Sequence, residues 1–166
     1  LPNFSIIDPS LSYSNPTYIK ACSGFDALSQ AIESFWAVGS TEESRGYSRE
    51  AIKIILKSIE MAVVEGDEKS MFRMSLAANL AGKAINISKT TAAHAVSYPI
   101  TKFLNIPHGH AVALTLGSFF VINSHYSSSQ LNDDRGVDYF DSVNKELFNL
   151  FDCSGSEQVR QKWYQI

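Results

Sequence analysis

GFDALSQAIES, residues 24–34, sets the reading of the whole chain. Taken as a helix, it puts Asp26, Gln30 and Glu33 at i, i+4 and i+7, on one face. Asp26 and Gln30 are one turn apart and can reach a single point in space. Downstream, KTTAAHAVSYP (89–99) carries His94 in another helical stretch, and NIPHGH (105–110) opens a third helix with His108 in its first turn. A carboxylate and two imidazoles suit Fe²⁺, Zn²⁺, Mn²⁺ or Co²⁺ without selecting strongly among them. Plainer roles fit the same residues: Asp26 as a helix cap beside Ser23 and Gly24, the histidines as core groups bonded to backbone. His110 and His125 read as surface or packing residues.

The rest of the chain is helical outward from this stretch. Residues 1–15, with Pro2 and Pro9, form an extended leading segment, and Asn15-Pro16 starts a short helix over 16–21. The decisive helix then runs from about Phe25 to Val38 and stops at Gly39. Thr41 caps a long helix with Glu42 and Glu43 in its first turn. Its buried face is Ile52, Ile55, Leu56, Ile59 and Val63, with Ser58 off that face. Gly66-Asp67 breaks it. A helix over 67–85 presents Met71, Met74, Leu76, Leu80 and Ala84, and helices follow at 89–103, 107–124, 134–151 and from about Ser156. Alternating runs bounded by hairpin turns are almost absent. The expected fold is all-α, one domain over 1–166 with seven or eight helices.

Composition narrows the function. A chain of 166 residues that is 45% hydrophobic can bury a substantial core. The net charge of −3, with scattered Lys and Arg, gives no footprint for nucleic acid or an anionic membrane. Cys22 and Cys153 lie far apart, which argues for a reducing compartment and against a disulfide framework or thiolate zinc site. The apolar run from Ala111 to Asn123 is too short to span a bilayer. The expected setting is cytoplasmic. Ser88-Lys89-Thr90-Thr91 precedes the helix of His94 and gathers hydroxyls, amides and a lysine at a helix N-terminus. That suits an anion, and equally an ordinary Ser/Thr cap. Lys102 is a second positive charge about three turns on.

DPSLSYSNPTYIKACSGFDALSQAIESFWA, together with the H-x13-H spacing that ends in IPHGHAVAL, resembles the C-terminal helical domain of the iron-containing (group III) alcohol dehydrogenases. The similarity spans about residues 6–125. It implies a dehydroquinate synthase-like all-α domain that holds a divalent metal, Fe²⁺ before Zn²⁺, facing a cleft. Asp26, His94 and His108 match family ligands. Gln30 stands where many members have a histidine, and Tyr98 where many have another, a position from which it could hydrogen-bond substrate or relay a proton.

The resemblance further implies an NAD(P)H-dependent alcohol dehydrogenase or aldehyde reductase acting on a small aldehyde or alcohol, with a homodimer as an open expectation. No glycine-rich phosphate loop follows a strand here, so the nucleotide-binding domain is expected to be missing from this chain and the isolated domain inactive. DALSQAIES, KTTAAHAVSYP and IPHGHAVAL are most similar to the phosphonoacetaldehyde reductase branch. That implies reduction of phosphonoacetaldehyde to 2-hydroxyethylphosphonate, with Lys89, Thr90 and Thr91 on the phosphonate. The competing expectation is a non-catalytic helical binding or oligomerisation domain with vestigial ligands. A helical metal-dependent hydrolase is a third, with Glu33 the nearest acid to the histidines.

Overall fold

The computed structural model describes residues 4–126 and 128–166. Residues 1–3 of the expected extended leader lie outside them. Within the described part the leader has no regular secondary structure up to a short 3₁₀ turn, Pro9–Ser12, capped by Asp8 in an extended conformation. Seven α-helices follow: α1 Thr17–Trp36, α2 Glu42–Glu60, α3 Glu68–Ser88, α4 Ala92–Leu104, α5 His108–Ser124, α6 Val137–Leu150 and α7 Ser156–Trp163. No strand occurs among the described residues. Among those residues, no helix is long and apolar enough to cross a membrane.

The two helices expected over 16–21 and 25–38 are one. Ser23-Gly24 does not break α1, because Gly24 serves packing. A Cβ there would stand 3.1 Å from both Ile59 of α2 and Met74 of α3. Thr41 begins α2 as expected, in a reciprocal box in which Thr41 Oγ1 accepts from Ser44 N and Ser44 Oγ accepts from Thr41 N. α2 continues as a π-helical turn, Met61–Glu65, and ends at Gly66 with φ of 65°. Asp67 then caps α3 by accepting from Ser70 N at 2.8 Å.

α1 is the hub and packs against α2, α3, α5 and α6. Leu28, Ile32 and Phe35 of α1, Ile52 and Ile55 of α2, and Leu116 and Phe120 of α5 form the centre of the core. Two expectations about buried faces need correction. Ser58 is buried, only 1% exposed, while Leu56 and Val63 flank the core half-buried. Leu76 points outward at 41% exposure, and the buried stripe of α3 is Met71, Ala77, Ala81 and Ala84. The cause is the same in both cases. Small side chains let α1, α2 and α3 approach closely, so a serine or an alanine fills the seam where a larger residue would hold the helices apart.

Arg135 ties the segment before α6 to the end of α1. Its guanidinium donates to the carbonyls of Ala37, Val38 and Ser40 at 3.1, 2.9 and 2.6 Å, and to both oxygens of the buried Asp133. These carbonyls follow the last turn of α1, where backbone acceptors lack helical partners.

Candidate metal centre

α1 presents Asp26, Gln30 and Glu33 along one side, as the spacing predicts. α4 and α5 bring the histidines back to that side. Asn105, in the left-handed conformation at φ 54°, ends α4, and Pro107 starts α5 three residues before His110. Gly109, next to His108, makes the approach possible. A Cβ there would lie 2.0 Å from the carbonyl oxygen of Cys22 and 3.0 Å from Asp26 Cβ. Only glycine lets α5 touch the α1 backbone at this point. In the sequence, the signal for this approach is the glycine between the two histidines of IPHGH.

Asp26, His94 and His108 each offer a ligand atom, and the three atoms lie within 4.8 Å of one another. His94 Nε2 stands 3.3 Å and His108 Nε2 3.7 Å from Asp26 Oδ1. Despite that proximity, Asp26 Oδ1 and His94 Nε2 are buried without a hydrogen-bond partner. Buried polar atoms normally find partners, so this pair fits a group that accepts electron density from both, as a divalent cation does.

Gln30 Nε2 donates to Asp26 Oδ2 at 3.1 Å, so its amide turns the nitrogen, not the oxygen, toward the carboxylate. Tyr98 is exposed and stacks on His108, with centroids 5.6 Å apart and planes 14° from parallel. His110 lies outside the cluster and bonds Tyr18 Oη at 2.9 Å, while His125 Nδ1 meets the carbonyl of Val121.

Glu33 is the unanticipated centre of the arrangement. It is fully buried. Its Oε1 accepts from Thr91 N, Thr91 Oγ1 and Ala93 N at 3.0, 2.7 and 3.0 Å, and Oε2 meets His94 Nδ1. Thr91 Oγ1 in turn accepts from Trp36 Nε1 at 3.0 Å. The donors that the sequence offers to a substrate anion at Thr91 and the α4 N-terminus are thus engaged within the protein. The first-turn donors of α4 already hold an anion, and it is the protein's own Glu33. Lys89 is exposed and Thr90 half-buried beside this cap. Burial disfavours a charged His94 ring, but the carboxylates of Asp26 and Glu33 outweigh it and push its pKa up to about 9. The surroundings favour one positive charge at this place.

The comparisons agree with the geometry. Residues 20–164 match the C-terminal domain of the Fe-containing alcohol dehydrogenase family. Phosphonoacetaldehyde reductase of Streptomyces viridochromogenes is 29% identical over 137 residues, covering 82% of this chain and 35% of that protein. Long-chain-alcohol dehydrogenase 1 of Geobacillus thermodenitrificans is 33% identical over 117 residues, covering 70% and 30%. Sulfoacetaldehyde reductase of Bifidobacterium kashiwanohense, solved with NAD⁺, superposes with a TM-score of 0.70 at 35% identity, over 86% of this chain and 40% of that one. An iron-containing alcohol dehydrogenase of Thermotoga maritima superposes at 0.78 with 27% identity, over 95% and 40%. The chain thus spans about a third of the curated relatives it matches. Its helices, its corner where Asp26, His94 and His108 converge and this match over nearly its whole length agree: the chain belongs to the iron-containing alcohol dehydrogenase family, of which it carries the C-terminal helical domain.

Proposed function

We propose that this chain is the metal-bearing helical part of an NAD(P)H-dependent aldehyde reductase, and that Asp26, His94 and His108 hold a divalent ion, with Gln30 as fourth ligand through its amide oxygen. The observation that carries this reading is the convergence of Asp26 Oδ1, His94 Nε2 and His108 Nε2, two of them buried without a partner. Bound there, a divalent ion would supply Lewis acidity toward the oxygen of a carbonyl whose carbon receives hydride from a nicotinamide. Asp26 contributes the negative charge of the ligand set and the imidazoles contribute neutral nitrogen donors. Tyr98, exposed against His108, offers a phenol to the carbonyl oxygen as hydrogen-bond donor and proton source. The nicotinamide belongs to a nucleotide-binding half of the kind that would fill the remaining length of the relatives.

For substrate, we infer a small aldehyde with an anionic tail, phosphonoacetaldehyde first. Two relatives support it by name, one acting on a phosphonate-bearing and one on a sulfonate-bearing acetaldehyde. The tail would meet Lys89 and Thr90, while Thr91 stays with Glu33. Gln30 is also what favours the rival reading, a non-catalytic domain with vestigial ligands, because its amide nitrogen faces Asp26.

The deciding experiment loads the protein with Fe²⁺ without oxygen, or with Zn²⁺, and measures retained metal against a His94→Ala, His108→Ala double variant. Near one ion per chain, lost in the variant, is the expected result. Equal, negligible metal in both would overturn the metal reading in favour of the vestigial one.

A further inference from the structure

Both histidines are held from behind, and by different groups. His94 Nδ1 meets Glu33 Oε2, a carboxylate with no solvent exposure. His108 Nδ1 lies 3.2 Å from Ser97 Oγ, which is likewise fully buried. Ser97 has one hydroxyl proton, and it is donated to the carbonyl of His94 at 2.7 Å. Toward His108, Ser97 can therefore only accept. Each imidazole accordingly faces an acceptor at Nδ1. For His94 the Glu33 oxygen makes the hydrogen bond while Asp26 Oδ1, 3.3 Å from Nε2, makes none, so in the neutral ring the proton belongs at Nδ1 and Nε2 is turned toward Asp26.

We propose that Glu33 and Ser97 are positioning residues that keep a proton at Nδ1 of each histidine, so that in the neutral ring it is Nε2, turned toward Asp26 Oδ1, that is free to ligate. The proposal rests on the metal reading above for its purpose, though not for its geometry. An outer partner that fixes tautomer and ring orientation is a general requirement of histidine ligation. Here one helix supplies both sides of one ring. Asp26 and Glu33 lie seven residues apart on α1, about 10 Å along its axis, and the His94 imidazole is threaded between them. The remaining oxygen of Glu33 caps α4 through Thr91 and Ala93. A single carboxylate thus sets where α4 begins and how its ligand is turned.

The two roles of Glu33 separate in one variant. In Glu33→Gln the amide oxygen can keep the Thr91 and Ala93 donors, but the amide NH₂ now faces His94 Nδ1. A donor there demands an acceptor, so His94 flips to the Nε2–H form and loses its lone pair toward Asp26.

Long-range ¹⁵N–¹H spectra of the metal-free protein at about pH 10.5, above the raised His94 value so that both imidazoles are neutral, read the tautomers directly. Both histidines are expected as Nδ1–H in the unaltered protein, and His94 as Nε2–H in Glu33→Gln. Zn²⁺ competition against a chromophoric chelator is expected to show roughly 10- to 100-fold weaker binding in Glu33→Gln with little change in metal-free Tm, and a loss of about threefold in Ser97→Ala. An Nε2–H form of either histidine in the unaltered protein overturns the proposal, and that test needs no variant to fold. Wild-type Zn²⁺ affinity in Glu33→Gln with His94 unchanged overturns it too. If the unaltered protein binds no Zn²⁺, the metal reading fails, while the tautomer spectra still decide the positioning role.

Discussion

Arg135 and His94 are both surrounded by oxygen, yet the two clusters are finished to different degrees. At Arg135 every partner is fixed. The guanidinium is permanently charged, three carbonyls and Asp133 accept from it, and Tyr139 lies under its plane with the carbon 4.1 Å from the ring centroid. At His94 the back of the ring is as well satisfied, by Glu33, but the front is not, with two buried polar atoms, Asp26 Oδ1 and His94 Nε2, facing each other without a hydrogen bond. A cluster that only holds the fold closes its hydrogen bonds internally. One that binds something keeps atoms back at the cost of some stability.

The sharpest way to break this contrast is Gly109→Ala. The new Cβ would collide with the Cys22 carbonyl and crowd Asp26, so α5 must shift and carry His108 with it. We expect a loss of about 3 kcal/mol in urea unfolding together with loss of metal binding. A variant that binds metal normally would mean that His108 does not depend on that contact.

Arg135→Ala should cost about 2 kcal/mol, since it removes the guanidinium from the carbonyls of Val38 and Ser40 and leaves the buried Asp133 with only the backbone N–H of residue 135, partly relieved by water at a half-buried site. Metal uptake should be unchanged. Parallel loss of both would erase the distinction between the clusters.

Acid should distinguish them as well. The hydrogen bonds from Arg135 hold the Asp133 carboxyl below its ordinary value of 3.8. A carboxyl depressed in the folded state adds stability above its unfolded pKa and loses it as pH falls through the folded value. Wild-type stability should therefore fall below about pH 4 more steeply than that of Asp133→Asn, in urea unfolding followed by circular dichroism.

Gln30→His should sharpen the metal corner from the other side. Imidazole is a better donor than a carboxamide for a borderline ion, so Zn²⁺ affinity should rise by about tenfold. Unchanged affinity would place residue 30 outside the ligand set. The smallest effect is expected from Tyr98→Phe, which keeps the stack on His108 and should leave metal affinity within about twofold; a larger drop would mean the phenol oxygen contributes to the ion's surroundings.

Helix content was open to reading because it depends on local order. Thr41, Gly66-Asp67 and Asn105 through Pro107 act within a few residues of themselves, and α2 through α5 begin and end near the expected places. Asp26, His94 and His108 could be named because their types and spacings survive in a linear string, and α1 keeps Asp26, Gln30 and Glu33 on one side by helical geometry alone. Burial was misjudged at Ser58 and Leu76, where side-chain size against a neighbouring helix matters more than polarity. Whether Ser23-Gly24 breaks a helix or fills a seam depends on Ile59 and Met74, distant in the chain. The capping of α4 was the hardest to see. A cap is normally sought in the residue just before the helix, yet this one comes from Glu33, some sixty residues upstream, and it turned an expected anion site into an occupied one. The sequence by itself determined the elements and the chemical types that could meet. Only the tertiary structure decided which donors were already spent and which polar atoms were left facing one another, because hydrogen-bond satisfaction is a property of neighbours in space.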